Sequence, residues 1–181
     1  MAGMFRDLRA DEIECRVAQV DKDHKDAPEW ITLLLYKDAR CDMNILDETV
    51  GAFNWTREHS RENANCTVSI YNPDTRSWVY KEDTGTESRT ESEKGLASDS
   101  FKRACVNWGI GRELYTAPTI FIRFDKSDPY NPKRDRFFVK GIETDGGVIR
   151  RLLIANQRTK EEAFYYIEEG YVPRAARGEN G

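Results

Sequence analysis

Between Cys66 and Asp83 the chain reads CTVSIY-NPDTRS-WVYKED, a stretch that leaves the backbone little choice. Its first segment, CTVSIY, alternates apolar and polar side chains, which an extended strand sends to opposite faces, and WVYKED reads as the return strand. Asn72, Pro73 and Asp74 between them supply a tight connection, so the two strands must pair antiparallel. FFVKGIE and VIRRLLIA read as two further strands joined at the glycine turn TDGG, over residues 137–155. IECRVAQV, from Ile13, and TIFIRF, from Thr119, read as further strands. WITLLLYKDAR, from Trp30, suits a buried strand or the start of a helix. TKEEAFYYIEEGYV, from Thr159, fits a helix capped by Thr159 or a strand through AFYYI, and its pattern leaves both open.

Two segments carry helical spacing. In MNILDETVGAFNW, Met43, Leu46, Val50 and Phe53 fall on one face, and Gly51 and Asn54 loosen the end. In SEKGLASDSFKRACVNWGIGRELY, residues Ser92 to Tyr115, the apolar stripe is Ala97, Phe101, Ala104, Cys105 and Trp108. Thr90 and Glu93 have the spacing of a capping box at its start. Gly109 supplies a left-handed stop, and the short turn GRELYT ends at Pro118. The expected architecture is α+β: a mostly antiparallel sheet, with a β-hairpin core, packed against a long α-helix. At 181 residues the chain is expected to be one domain over residues 1–173, followed by a flexible tail at 174–181.

Composition narrows the chemistry. No apolar run approaches the roughly 20 residues that span a bilayer, and no secretory signal opens the chain, so the expected location is the cytoplasm. That would be the host's cytoplasm if the chain is phage-encoded. The four cysteines (Cys15, Cys41, Cys66, Cys105) are far apart and form no CxxC, so they read as buried reduced thiols and no metal site is expected. His24 and His59 are the only histidines. GIGREL lacks the third glycine and the preceding strand of a dinucleotide fingerprint. No P-loop and no G-x-S-x-G elbow occurs, so neither a cofactor nor enzymatic chemistry is expected.

The formal charge of −4 argues against an ordinary nucleic-acid binder, but it is unevenly spread. Residues 120–160 hold ten Lys/Arg against five Asp/Glu, between acidic flanks. On the second helix, Lys102 and Arg103 stand side by side on the face opposite the apolar stripe. Their plainest role is pairing with Asp99 at i+3 and i+4, worth roughly a few tenths of a kcal/mol. The alternative is that they hold phosphates, Lys102 as a point charge and Arg103 as a fork.

MNILDETVGAFNW, WVYKEDTGTES and EKGLASDSFKRACVNWGIGRELY together resemble the Rad-fifty-two/Rad-twenty-two type single-strand DNA annealing proteins, in particular their bacteriophage branch. The resemblance covers roughly residues 40 to 118 in the family's order of motifs. It implies ATP-independent binding and annealing of single-stranded DNA in homologous recombination and repair, by a homo-oligomeric ring or filament. A single-strand binding protein or a recombinase would be a further partner. It places Lys102 and Arg103 on the DNA, with Arg40 close to the position of another basic contact. Arg112 lies in the same WGIGR motif. Where eukaryotic members have a further basic residue and an aromatic one, this chain has Val106 and Ala52, with Phe53 next to Ala52. The basic loop NPKRDR (Lys133, Arg134, Arg136) and Arg150-Arg151 read equally as a second DNA site or as a solvated strand edge. Two rival functions stay open: a metal-dependent DNA-processing enzyme such as a nuclease, and a non-catalytic protein-interaction module.

Overall fold

The computed structural model describes residues 4–86 and 93–178, the side chains of Glu93 and Lys94 excepted. The chain divides into two compact units, each built from two separate stretches: Leu8–Lys37 with Glu113–Gly181, and Met1–Asp7 with Asp38–Arg112.

The first unit is an antiparallel sheet. Its strands are β1 (Ile13–Val20) and β2 (Trp30–Lys37) from the early stretch. The later stretch adds β6 (Ile120–Arg123), β7 (Phe137–Asp145), β8 (Val148–Asn156) and β9 (Glu162–Ile167). The order across the sheet is β6-β2-β1-β7-β8-β9, and the edge strands β6 and β9 come back towards each other, so the sheet is nearly a closed barrel. Period-two burial supplies its core: Ile31 and Leu33, Ile120 and Ile122, Leu152 and Ile154 are buried at alternate positions. Burying a side chain of this kind stabilises by about 1.5–3 kcal/mol. Two buried groups of this unit, the Glu113 carboxylate and the Ile149 amide, are matched. The Glu113 carboxylate accepts the Leu8 amide at 2.6 Å, and the Thr116 hydroxyl oxygen accepts the Ile149 amide at 2.9 Å.

The second unit holds α1 (Ala39–Val50), a meander of β3 (Trp55–Ser60), β4 (Asn65–Asn72) and β5 (Ser77–Thr84), and α2 (Glu93–Trp108). The sheet order is β3-β4-β5, antiparallel throughout, and α2 packs on β4 and β5. Cys66, Val68 and Ile70 are buried on the inner face of β4, and Leu96, Phe101, Ala104 and Cys105 are buried on α2. The Trp108 indole nitrogen donates to the Val68 carbonyl at 3.0 Å, and the rings of Trp55 and Phe101 stack at 6.1 Å.

These findings correct the expected fold class. The protein is mostly antiparallel β, with nine strands and two short α-helices among the described residues, and no long helix carries the main sheet. The barrel-like sheet supplies its own core by curling, which removes the need for a helical layer. The face assigned to the first helix is also corrected. That helix starts at Ala39 and stops at Gly51, whose φ of 86° only glycine adopts readily, so Phe53 falls beyond it and is 96% exposed. Its buried residues are Cys41, Asp42, Ile45 and Leu46.

The apolar run from Trp30 forms β2 and ends just before α1, and the segment left open at residues 159–172 contains β9. Both sequence-read hairpins form, as β4/β5 and β7/β8. The Thr90–Glu93 capping box lies outside the described residues. Within the expected tail, Arg174–Arg177 form a 3-10 turn, with the Arg174 amide donating to Glu143 at 2.8 Å.

Candidate nucleic-acid interface

Helix α2 positions the cation pair, and its end shows why the following glycines belong to the helix. The Gly109 amide donates to the Val106 carbonyl at 2.9 Å and the Ile110 amide to the Cys105 carbonyl at 3.1 Å. This is the double bond of a Schellman stop, with Gly109 at a φ of 106°. The Arg112 guanidinium then donates to the Val106 carbonyl at 3.0 Å and to the Asn107 carbonyl at 3.1 Å. Arg112 therefore caps the helix, where its charge also meets the negative end of the helix dipole.

Lys102 and Arg103 are half-buried on α2. The expected pairing with Asp99 does not form: the Asp99 carboxylate accepts the Thr86 amide at 3.0 Å, which ties the EDTGT segment to the helix. Arg103 instead lies 3.6 Å from Asp83 on β5, through its Nε. That distance is too long for a hydrogen bond, and the buried Nε has no hydrogen-bond partner among the described residues. Lys102 has no ion-pair partner within 4 Å among the described residues.

A third cation stands in the same neighbourhood. Asp38, the N-cap of α1, accepts the Arg40 amide at 2.6 Å and pairs with the Arg40 guanidinium at 2.9 Å. Its carboxyl is held below the ordinary value, first by these Arg40 hydrogen bonds and then, more weakly, by the charge of Lys102. Residues 40 and 102, far apart in sequence, thus share one carboxylate's field. Arg40 remains largely exposed.

Phe53 is set apart from Arg40. It follows the C-terminal end of α1, a 12-residue helix about 18 Å long, whereas Arg40 sits at the N-terminal end.

Lys133, Arg134 and Arg136 belong to the barrel unit, and their charges differ in availability. Arg134 is spent internally: it pairs with Asp128 at 2.6 Å and with the buried Asp135 at 3.0 Å. Asp135 also accepts the Asn131 amide and the Asn156 side chain. The Arg136 guanidinium donates to the Pro132 carbonyl at 2.6 Å, and Lys133 is exposed. Arg150 and Arg151 are paired as well, with Glu168 and Glu143.

Several contacts around α2 have no simple sequence signature. Lys81 donates to the Asn107 carbonyl at 2.8 Å and lies over the Trp108 ring. Arg57 lies over the Phe101 ring, 4.8 Å from its centroid. Asp83 as the partner of Arg103 depends on how β5 registers against α2, and spacing along one strand does not encode that.

Among the described residues, no group of three or more His, Cys, Asp or Glu side chains is arranged to hold a metal ion, and no helix is long and apolar enough to cross a membrane. Comparisons with protein-family models, with curated proteins and with solved structures find no match to this chain.

Proposed function

We propose that this protein is an ATP-independent single-strand annealing protein, which binds single-stranded DNA through Arg40, Lys102 and Arg103 and acts as a homo-oligomer. The observation that carries the reading is the sorting of cations around α2. Arg112 is committed to helix carbonyls. Lys102 has no ion-pair partner among the described residues, and Arg103 has only a long contact to Asp83. Arg40 shares the same electrostatic neighbourhood through Asp38.

Annealing asks for little more than this. Two complementary strands pair unaided once their phosphates are neutralised and their base edges left free. A lysine, a guanidinium fork and a second arginine do the first and leave the second alone. Oligomerisation answers the objection from net charge. A modest cation cluster, repeated from subunit to subunit, makes a basic track although each chain carries −4. The resemblance of residues 40 to 118 to Rad-fifty-two type proteins supports the same reading.

The test is the double variant Lys102→Ala/Arg103→Ala, shown by circular dichroism to be folded and by light scattering to keep the wild-type mass. Its affinity for a thymidine oligonucleotide should fall by about tenfold or more at near-physiological salt, with annealing of complementary oligonucleotides slowed in parallel. Unchanged affinity and unchanged annealing would remove the assignment.

A further inference from the structure

In the barrel unit, β1 is an interior strand that behaves as an edge. It pairs with β2 from Ile13 to Val20 but meets β7 at one residue pair only, Glu14 with Phe138. Past that pair the two segments part. The Arg136 carbonyl accepts the Gln157 amide at 2.8 Å, which extends the β7–β8 ladder, and the Asp135 amide donates to the Asn131 carbonyl at 2.8 Å, which puts the residues before it into a turn of their own. Among the described residues no strand takes its place beside β1, and Arg16, Val17, Ala18 and Gln19 are exposed. The gap is a groove of about 530 Å³, walled by Cys15, Arg16 and Val17 on one side and by Arg136, Phe137 and Phe138 on the other.

A strand edge presents amide donors and carbonyl acceptors in alternation, and another extended polypeptide matches both. A nucleic-acid backbone offers phosphate acceptors and no donors at that repeat. The charge of the groove narrows the occupant further. Glu14 is taken by Arg16 at 3.0 Å, and Asp135 by Arg134 and Asn156. Arg136 has no acidic partner among the described residues, only the Pro132 carbonyl. The uncompensated charge of the groove is therefore positive.

We infer that the groove between β1 and the start of β7 binds an extended, acidic peptide segment of a partner protein, added to β1 as a further strand with a carboxylate against Arg136. This does not depend on the DNA-binding reading.

The test uses the full chain, labelled with nitrogen-15, and a synthetic seven-residue peptide alternating valine with aspartate. Titration should shift amide signals saturably at residues 14–19 and 136–138 and slow hydrogen exchange in β1. The same peptide N-methylated at alternate amides should bind at least about tenfold more weakly, because it loses the ladder and keeps its charge. Arg136→Glu, a change on an exposed side chain, should also weaken binding about tenfold while the remaining spectrum stays native. Absence of shifts at millimolar peptide would overturn the inference, as would equal binding of the N-methylated peptide. A thymidine oligonucleotide that moved the same amides and displaced the peptide would also overturn it and assign the groove to nucleic acid.

Discussion

Gly85, in the EDTGT segment, has no room for a side chain. A Cβ there would lie 2.8 Å from the Ser100 amide nitrogen and 3.1 Å from the Leu96 carbonyl oxygen, both fixed backbone atoms of α2. Its own amide donates to the Ala64 carbonyl at 2.7 Å, so the end of β5, the β3–β4 turn and α2 meet at this residue. Gly85→Ala should therefore destabilise by about 1–3 kcal/mol, because the helix can give way only by shifting as a whole. Urea unfolding of the variant would show a lowered midpoint with an unchanged slope. A midpoint equal to wild type would mean that α2 moves freely off β5. The contact matters for the site because Arg103 reaches Asp83 from the same helix two residues along the strand from Gly85. Arg134 offers a contrast at the same scale. It sits in a basic loop that reads like a binding patch, yet its charge is consumed by Asp128 and Asp135, while Lys102 is left without such a partner among the described residues.

At the scale of elements, the two histidines respond to pH in opposite senses because of where their segments place them. His24, in the turn after β1, has its proton affinity raised by its 2.9 Å bond to the Asp21 carboxylate and then by that carboxylate's charge. Its support is complete below the ordinary value of 6.5 and is lost as pH rises through the raised value. His59 on β3 is lowered, first by burial and then by the neighbouring charge of Arg57. The unfolded chain takes up that proton first, so stability is lost as pH falls below 6.5. The two imidazoles should thus titrate on either side of 6.5 by NMR. Between about pH 7 and pH 5, His59→Asn should flatten the fall in melting temperature and His24→Asn should steepen it. Titration of both rings on the same side would refute the placement. Such placements are not written in any short stretch of sequence. Alternation in CTVSIY announces that strand because one face of it is buried, and VIRRLLIA is announced instead by its apolar run after the glycine turn. β3 goes unread because its residues are exposed or only half-buried, so WTREHS shows no apolar period. The barrel order is equally silent, since β1 sits between β2 and β7 through a pairing that no local pattern encodes. Lys102 and Arg103 are conspicuous by adjacency alone. Arg40 joins them through the packing of α1 on α2, so only the resemblance suggested it.

For the molecule as a whole, the proposed annealing role requires a chain of net charge −4 to hold a polyanion, and salt dependence tests that directly. Each phosphate of a single strand neutralised by a cation contributes about −0.7 to the slope of log affinity against log salt. Counterions released elsewhere cannot imitate that value residue by residue. Binding to a thymidine oligonucleotide should weaken linearly on this plot, and Lys102→Ala should flatten the slope by about 0.7 for each protomer engaged. If the proposed assembly engages several protomers on one strand, the change per complex is a multiple of that figure. Dividing it by the mass-derived number of bound protomers gives the cations spent per chain. Lys133→Ala supplies the internal comparison, since Lys133 is exposed in the other unit. If the slope falls with Lys133 and not with Lys102, the strand lies along the barrel's basic loop and α2 is not its seat. If neither variant changes the slope while wild type remains steep, the phosphates are held by cations outside both sets. Flattening at Lys102 alone, with the oligomeric mass preserved, is the result that an annealing track built from α2 requires.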